Sequence, residues 1–233
     1  MKDFIKFFFL FFGVLYPMTM SADSFPDVEV RAIRPRFFSK AKRIEIGSQA
    51  MFVVNRSFIY AYMLSLNLDY HFNEAWAIEG SIAFGGTQAK EDEIVLKENF
   101  DITTQILEPR GSQDIGVLWS PMYGKYQLSD GDVVYYDTFM AAGVGFVEAE
   151  YLYEHCATST KEAPASQTFS YTAMNLGFGQ RLFLDRSYTF RWDLRDRIFT
   201  TNAKDAACDP DLTTSQNRIE HNVTIQGGLT RFF

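Results

Sequence analysis

The chain has 233 residues, of which 47% are hydrophobic and 16% aromatic, and its formal net charge is −7 at pH 7. This negative charge argues against a nucleic-acid partner, because binding to a phosphate backbone draws on a surplus of Lys and Arg. The sequence also excludes a bundle of transmembrane helices, since polar side chains interrupt every long apolar stretch beyond the first residues.

The first 41 residues are predicted to precede the folded domain. Residues 1–22 have the pattern of a secretory signal peptide: Lys2 and Lys6 come before a short Phe-rich run, and the small residues Ser21 and Ala22 offer a cleavage site. The apolar run is shorter than the roughly 20 residues that a membrane-spanning helix needs. Residues 23–41 are mixed and polar, and we interpret them as a periplasmic N-terminal extension before a domain of residues 42–233.

The clearest predicted strand covers residues 58–72. Eight side chains at alternate positions from Phe58 to Phe72 are apolar or aromatic, whereas the positions between them include Ser65, Asn67 and Asp69. Alternate side chains of a strand point to opposite faces, so this segment offers one face to lipid and one to a polar interior. A helix would spread the same residues around its circumference.

Seven further segments are predicted strands, at 42–54, 75–86, 113–120, 133–151, 168–184, 187–199 and a last segment that ends at Phe233. Residues 87–112 are predicted to form a long loop with a short helix near 91–99. The stretch Pro121-Met122-Tyr123-Gly124-Lys125 is predicted to break the fourth strand. Two more long loops are expected at 152–167 and 200–217.

Eight strands with these connections predict an all-β, eight-stranded antiparallel up-and-down transmembrane β-barrel. The connections after the third, fifth and seventh strands are long, and most of the others are short. This asymmetry is typical of bacterial outer-membrane barrels, in which the long loops are extracellular and both chain ends are periplasmic. The alternative is a soluble β-sandwich, which would not require this asymmetry.

Charged residues on the inward faces are the main candidate site. An eight-stranded barrel has room for side chains alone, so charges inside it must pair or stay hydrated. Two interpretations remain open: a structural plug of ion pairs, and a narrow, gated path for ions or small solutes. The predicted set is Glu45, Asp69, Glu79, Asp137, Arg181, Arg191, Asp193, Arg195 and Glu220.

Two cysteines, Cys156 and Cys208, both fall in predicted long loops on one side of the membrane. Export favours oxidation, so we predict a disulfide between them; two free thiols are the alternative.

Enzyme chemistry has little support in the sequence. Some small outer-membrane barrels modify lipid A. His221 lies near the outer end of the last strand, where such an enzyme would need its base. Ser170 and Ser215 are candidate nucleophiles only because the predicted topology places them at the same end. No spacing marks them as a triad, and no metal, nucleotide or other cofactor motif is present. The acidic residues near 91–101 could bind divalent cations or lipopolysaccharide, but they lack the spacing of an EF-hand, and a solvated acidic loop is the favoured interpretation.

Several motifs resemble a known family. They are Arg43-Ile44-Glu45, Asn55-Arg56-Ser57-Phe58, Tyr70-His71-Phe72, Glu74-Ala75-Trp76-Ala77-Ile78-Glu79-Gly80 and Trp119-Ser120-Pro121-Met122-Tyr123-Gly124-Lys125. Together they resemble the outer-membrane β-barrel domain family of myxobacteria and Bdellovibrio-like bacteria. That resemblance implies a small barrel similar to the OmpA and OmpX type and adds no activity. The final strand, with Leu229 and Phe233, also resembles the signal read by the barrel-assembly machinery.

These observations predict a non-enzymatic protein of the bacterial outer membrane, surrounded by lipid and lipopolysaccharide. Its expected role is structural or surface recognition through the long loops. A small channel is the alternative, and a lipid A-modifying enzyme is a weaker one.

Overall fold

A computed structural model describes residues 38–100, 107–127, 133–152, 166–202 and 217–233. Its strands are β1 (Ile44–Val53), β2 (Ile59–His71), β3 (Trp76–Ala89), β4 (Leu107–Gln127), β5 (Val133–Leu152), β6 (Ser166–Phe183), β7 (Tyr188–Asn202) and β8 (Asn217–Phe232). Each strand pairs antiparallel with its neighbours, and β1 also pairs with β8, which closes the sheet. The predicted eight-stranded antiparallel barrel is confirmed.

Alternation along the strands sets the two faces of the wall. In β2 the burial alternates at every residue, so Tyr60, Tyr62 and Leu64 are exposed while Ser65 and Asn67 lie inside. β1 and most of β3 and β7 repeat the pattern. The apolar side chains therefore cover the outside of the barrel, the reverse of a soluble protein.

The stagger of the barrel follows from the pairing. Cross-strand partners lead from His221 on β8 through each strand in turn and return to β8 at Arg231, ten residues away. Strands staggered in this way tilt by about 35–45° to the barrel axis, and eight of them leave an interior that side chains fill.

The two ends of the barrel differ. One end carries the connections 54–58, 90–106, 153–165 and 203–216, and we call it the loop end. The other, here called the terminus end, carries the connections 72–75, 128–132 and 184–187 together with residues 38–43 and Phe233. Residues 1–37, which include the predicted signal peptide, and both Cys156 and Cys208 lie outside the described residues, so the signal peptide and the disulfide stay predictions.

The prediction for the fourth strand was wrong at both ends. β4 begins at Leu107, inside the predicted loop, and continues through the predicted break to Gln127. A register shift between Trp119 and Met122 places the extra residue in a bulge, so Pro121 does not end the pairing with β5. Proline lacks the N–H that a ladder uses, and a bulge is where a strand tolerates it.

Among the described residues there is one helix, α1 (Glu91–Phe100), which follows β3 within the predicted loop and matches the predicted helix to one residue. Glu91, Asp92 and Glu93 occupy its first turn, where carboxylates interact favourably with the helix dipole. Among the residues that the structure describes, no helix is long and apolar enough to cross a membrane.

Candidate functional site

The interior of the barrel holds a dense network of ion pairs, which we call the charged zone. Its carboxylates come mainly from β1 to β5 and its guanidinium groups from β6 and β7, so opposite sides of the wall carry opposite charge. All of these side chains are buried. The zone consists of Lys40, Glu45, Asp69, His71, Glu79, Asp114, Asp137, Arg181, Arg191, Asp193, Arg195 and Arg197.

Arg191 lies at the centre of this zone and contacts three carboxylates. Its Nη1 is 2.8 Å from Asp69 Oδ2, its Nη2 is 2.5 Å from Glu79 Oε2, and its Nε is 3.2 Å from Asp193 Oδ2. The guanidinium also lies over the Phe139 ring, 4.6 Å from the centroid. A planar group with five donors suits such a site, because each N–H can meet a separate oxygen.

Two more arginines extend the network along β7. Arg195 bonds Glu79 through Nη1 at 2.5 Å and Asp193 through Nε at 3.1 Å. Arg197 donates to Asp114 Oδ2 through Nε at 2.9 Å and Nη2 at 2.8 Å. The alternation of β7 aims both side chains inward, as it does for Arg191.

A second cluster lies toward the terminus end. Arg181 bonds Glu45 at 3.0 Å and Asp69 at 3.3 Å, and His71 Nε2 is 2.9 Å from Glu45 Oε2. Lys40, which precedes β1, forms an ion pair with Asp137 on β5. Burial lowers the pKa of the Lys40 ammonium, and the Asp137 carboxylate opposes this effect.

The same cluster has the composition of a metal site. Ligand atoms of Glu45, Asp69 and His71 all lie within 4.8 Å of one another. Arg181 already bonds both carboxylates and supplies the positive charge that a metal would bring. The geometry therefore matches an ion-pair cluster better than a metal centre.

Buried apolar clusters lie on both sides of the charged zone. At the terminus end Phe38, Phe183 and Phe232 form a buried cluster that we call the aromatic seal, with Tyr123 and Tyr135 packed against it. Toward the loop end, two buried apolar clusters lie on β1 to β3 and on β4 to β7. They comprise Met51, Val53, Ala61, Met63 and Ala83, and Leu107, Val147, Ala149, Tyr151, Tyr171, Ala173 and Phe199.

Eight of the nine predicted interior charges lie in the charged zone, and Glu220 does not. Glu220 belongs to the loop end of β8, where it pairs with Arg218 at 3.3 Å and lies 3.9 Å from Arg56. Glu220 does follow the inward alternation of β8, as predicted, but it lies too near the rim to reach the central network.

Four members of the charged zone were missing from the predicted set. Arg197 and Asp114 could have been found, because each shares the inward alternation of its strand. His71 also shares the inward alternation of its strand, but the sequence does not link it to Glu45. No sequence signal identifies Lys40, because it lies before β1 and reaches Asp137 only through the fold.

The predicted assembly residues lie at the seam of the barrel. Leu229 and Phe233 are both exposed on the outside, and the Phe233 backbone exchanges hydrogen bonds with Ile44 at 2.8 and 3.3 Å. Arg231 lies between them and stacks over the rings of Tyr188 and Phe233, at 5.4 and 4.7 Å from their centroids. The last residue of the chain thus takes part in joining β8 to β1.

The residues considered for lipid A chemistry are not brought together. His221 Nδ1 is 2.7 Å from Asp196 Oδ2, and both side chains are partly exposed. Ser170 lies on β6, which does not neighbour β8, and Ser215 falls outside the described residues. The described part of the chain therefore shows a His–Asp pair without a serine hydrogen-bonded to it.

No protein-family model matches the chain, and no curated protein does either. Among solved structures, the N-terminal β-barrel domain of Pseudomonas aeruginosa OprF has 9% identity and a TM-score of 0.44, covering 83% of this chain and 98% of its own. Ail, the attachment invasion locus protein of Yersinia pestis, has 14% identity and a TM-score of 0.43 over 83% of this chain and 99% of its own. OprG of P. aeruginosa has 13% identity and a TM-score of 0.43, covering 83% of this chain and 97% of its own.

The outer and inner faces of the barrel wall indicate the solvent that surrounds the protein. Its outside is a continuous apolar surface with aromatic residues toward both ends, including Phe52 and Tyr62 near the loop end and Tyr70 and Trp76 near the terminus end. Its inside is charged. Only a lipid bilayer favours this inverted arrangement, and closed barrels satisfy every backbone group there. The chain has the architecture of a small, eight-stranded outer-membrane β-barrel.

Proposed function

We propose that this protein is a closed, non-enzymatic barrel of the bacterial outer membrane that presents its loop end at the cell surface for recognition or envelope contact. Its partners are outer-membrane lipid and lipopolysaccharide, with the barrel-assembly machinery during insertion. We also propose its membership of the outer-membrane β-barrel domain family of myxobacteria and Bdellovibrio-like bacteria, on the motifs described above.

One observation carries the proposal of a closed barrel: a paired charge network fills the lumen, with buried apolar clusters on both sides of it. An ion crossing the lumen would have to pass the aromatic seal at one end, where it would lose its water shell. Toward the loop end it would have to pass buried side chains that include the apolar clusters and polar residues such as Glu108 and Asn222. In the charged zone itself, five cations face six carboxylates at hydrogen-bonding distance. A solute would have to break these pairs to pass.

The proposed orientation follows from the connections. Three long segments, 90–106, 153–165 and 203–216, leave the loop end, whereas the terminus end has only short turns. Long loops are extracellular in bacterial barrels, and surface loops vary and bind without disturbing the strands that hold them.

Planar-bilayer recording of the refolded protein tests the closed barrel. We expect no discrete conductance steps in the wild-type protein at voltages that the bilayer withstands. Stable, ion-selective openings that Arg191→Ala changes or abolishes would contradict the proposal and support a channel. Arg231→Ala, on the outside of the same barrel, is the control for non-specific effects.

A small channel remains the second candidate because some buried polar atoms lack a protein partner. Asp69 Oδ1, Asn67 Nδ2 and Gln226 Oε1 form no hydrogen bond within the described residues. Buried groups of this kind are usually satisfied by water, so we expect a few water molecules in the charged zone. This favours a partly hydrated interior, which a channel requires and which a structural plug of ion pairs also allows.

Lipid A modification is separately testable. Mass spectrometry of lipid A from cells with and without the protein should show an unchanged acyl pattern. A changed pattern that is lost in His221→Ala would contradict the non-enzymatic proposal.

A further inference from the structure

A groove crosses the outer face of the barrel wall around Gly80, and we call it the Gly80 groove. Its volume is about 680 Å³, within the range of roughly 300–1,000 Å³ that is usual for small-molecule sites. Its floor is backbone, because Asn67 and Ser81 also line it although their side chains point inward. Its sides are formed by Leu66, Leu68, Ile82, Ile115, Val144 and Phe146.

The fold itself does not require glycine at position 80. Gly80 lies on β3 opposite Leu68 of β2 and Ile115 of β4, and the pairing with both strands continues through it without a register shift. A Cβ at Gly80 would meet no atom within 4 Å. A glycine weakens a strand and usually marks a bulge, a bend or the close approach of a ligand or another backbone. Since the described strands show neither a bulge nor a second backbone here, the approach of a ligand is the use that fits.

The end of the groove toward the loop end is polar. Gln113 and Thr172 line it there, and both are exposed on the outer face. Gln113 comes six residues before Trp119 on β4, which places it about 15 Å along the barrel axis from that ring, given the rise and tilt of the strands. In an apolar band about 25 Å tall, Gln113 therefore lies in the half of the membrane nearer the loop end.

The Gln113 amide is directed toward the loop end and keeps hydrogen-bonding capacity. Its Nε2 donates to Glu148 Oε1 at 3.4 Å, and Glu148 lies closer to the loop end. A primary amide has two N–H donors and a carbonyl acceptor. Within the described residues, one donor is used in this way, so the second donor and the acceptor are available to a ligand.

The surroundings of the groove define the chemistry of its occupant. The groove is continuous with the apolar outer face that contacts lipid, so an acyl chain is the group at hand. Lipid tails are as apolar as the leucines of the wall, so a preference for one lipid must come from shape and from polar contacts. An amide-linked chain with a hydroxyl near its linkage meets both demands, because its carbonyl accepts from the Gln113 amide and its hydroxyl donates to it. Lipid A, the membrane anchor of lipopolysaccharide, carries such chains in the outer leaflet.

We propose that the Gly80 groove holds one hydroxylated acyl chain of lipid A, with Gln113 hydrogen-bonded near the head of the chain. The absent side chain at Gly80 leaves the space in which the chain packs between Leu68 and Ile115. This inference rests on the proposed function, because the loop end must face the outer leaflet. The site fixes one lipopolysaccharide molecule to a defined side of the barrel.

Titration of the refolded protein with lipid A in detergent micelles, read by native mass spectrometry, tests the site. We expect one tightly held lipid A per barrel, and binding at least about tenfold weaker in Gly80→Leu, because the added side chain occupies the space of the acyl chain. Ala50→Leu, an equal enlargement on the outer face of β1 and outside the groove, is the matched control and should bind as the wild type does. The heat-modifiable gel shift confirms that each variant is folded.

A second pair of measurements tests the polar contact. Phosphatidylglycerol of matched chain length, which lacks the amide and the acyl hydroxyl, should bind the wild-type protein more weakly than lipid A. Gln113→Leu keeps the groove and removes the amide, so it should abolish this preference.

Two results would overturn the proposal. Equal lipid A binding by the wild-type protein, Gly80→Leu and Ala50→Leu would show that the groove is not the site. Equal binding of phosphatidylglycerol and lipid A to the wild-type protein would show that the groove does not select lipid A. Neither result bears on whether the barrel is closed, which the conductance recordings decide separately.

Discussion

Lys40 and Asp137 lie 97 residues apart in the chain and form an ion pair inside the terminus end of the barrel. Their side chains are only 2% and 1% exposed. Lys40 belongs to no strand, so this contact ties the segment before β1 to the opposite wall. It lies directly beneath the aromatic seal, where Phe38 packs against Phe183 and Phe232.

Removing the Lys40 charge should destabilise the barrel. Lys40→Met leaves Asp137 buried with a more distant cation, Arg181 at 3.5 Å, and we expect the free energy of unfolding to fall by about 3–5 kcal/mol. The double variant with Asp137→Leu should recover most of that loss, because replacing both charges removes the unpaired carboxylate. Urea unfolding in micelles measures both; Lys42→Met, at an exposed position, is the control. Equal effects at positions 40 and 42 would refute the buried pair.

Arg191 is expected to contribute more to stability than any exposed arginine. Arg191→Met leaves Asp69, Glu79 and Asp193 with fewer cations, so the loss should be on the order of 3–5 kcal/mol. Arg231→Met, which removes an exposed guanidinium from two rings, should cost less than about 1 kcal/mol. Urea midpoints compare the two variants, and a similar shift for both would argue against the central network.

Two turns at the terminus end provide a pH test with an internal control. Asp185 Oδ1 accepts from the backbone N–H groups of Ser187 and Tyr188 at 2.5 and 2.8 Å; Asn73 Oδ1 makes the equivalent bonds to Ala75 and Trp76, both at 2.8 Å. The bonds from Ser187 and Tyr188 lower the pKa of the Asp185 carboxyl below its usual 3.8. Their stabilising contribution is therefore present above that value and lost as the pH falls through the lower, folded-state pKa.

Asp185→Asn should accordingly reduce the acid dependence of the urea midpoint between about pH 5 and about pH 2 while keeping the turn. Asn73→Asp should add acid dependence, because it places the same titrating group in the matching turn. An unchanged pH profile in both variants would show that these bonds do not distinguish the protonation states.

Gly228, next to the charged zone, should tolerate no side chain. Gly228 lies opposite both Gln49 and Arg191, and a Cβ there would come within 2.0 Å of the Ser48 carbonyl oxygen. We expect Gly228→Ala to abolish the heat-modifiable gel shift or to lower the urea midpoint sharply, because backbone would have to move. Gly80→Ala is the control: it lies on the outer face with nothing within 4 Å, and its midpoint should be unchanged. A well-folded Gly228→Ala barrel would count against this close packing.

The sequence predicted the parts of this fold that depend on strand period. The alternation of β2 predicted its lipid and lumen faces, and inward positions on β1, β3 and β7 identified Glu45, Glu79 and Arg191. The length of β4 could not be read in the same way. A bulge near Pro121 shifts the alternation of its side chains by one residue. In the sequence, such a shift cannot be distinguished from the end of a strand.

What the sequence alone determined is which side chains face inward, because that depends only on the alternation of each strand. Which inward charges meet depends on the stagger between strands, and this brings Arg191 to Asp69 and Glu79 while leaving Glu220 at the rim. The ion pair of Lys40 is likewise not predictable from the sequence, because only the closed barrel places Asp137 within reach of the Lys40 ammonium. Ion pairing across a lumen is a long-range contact, and only the closure of the sheet between β1 and β8 defines its geometry.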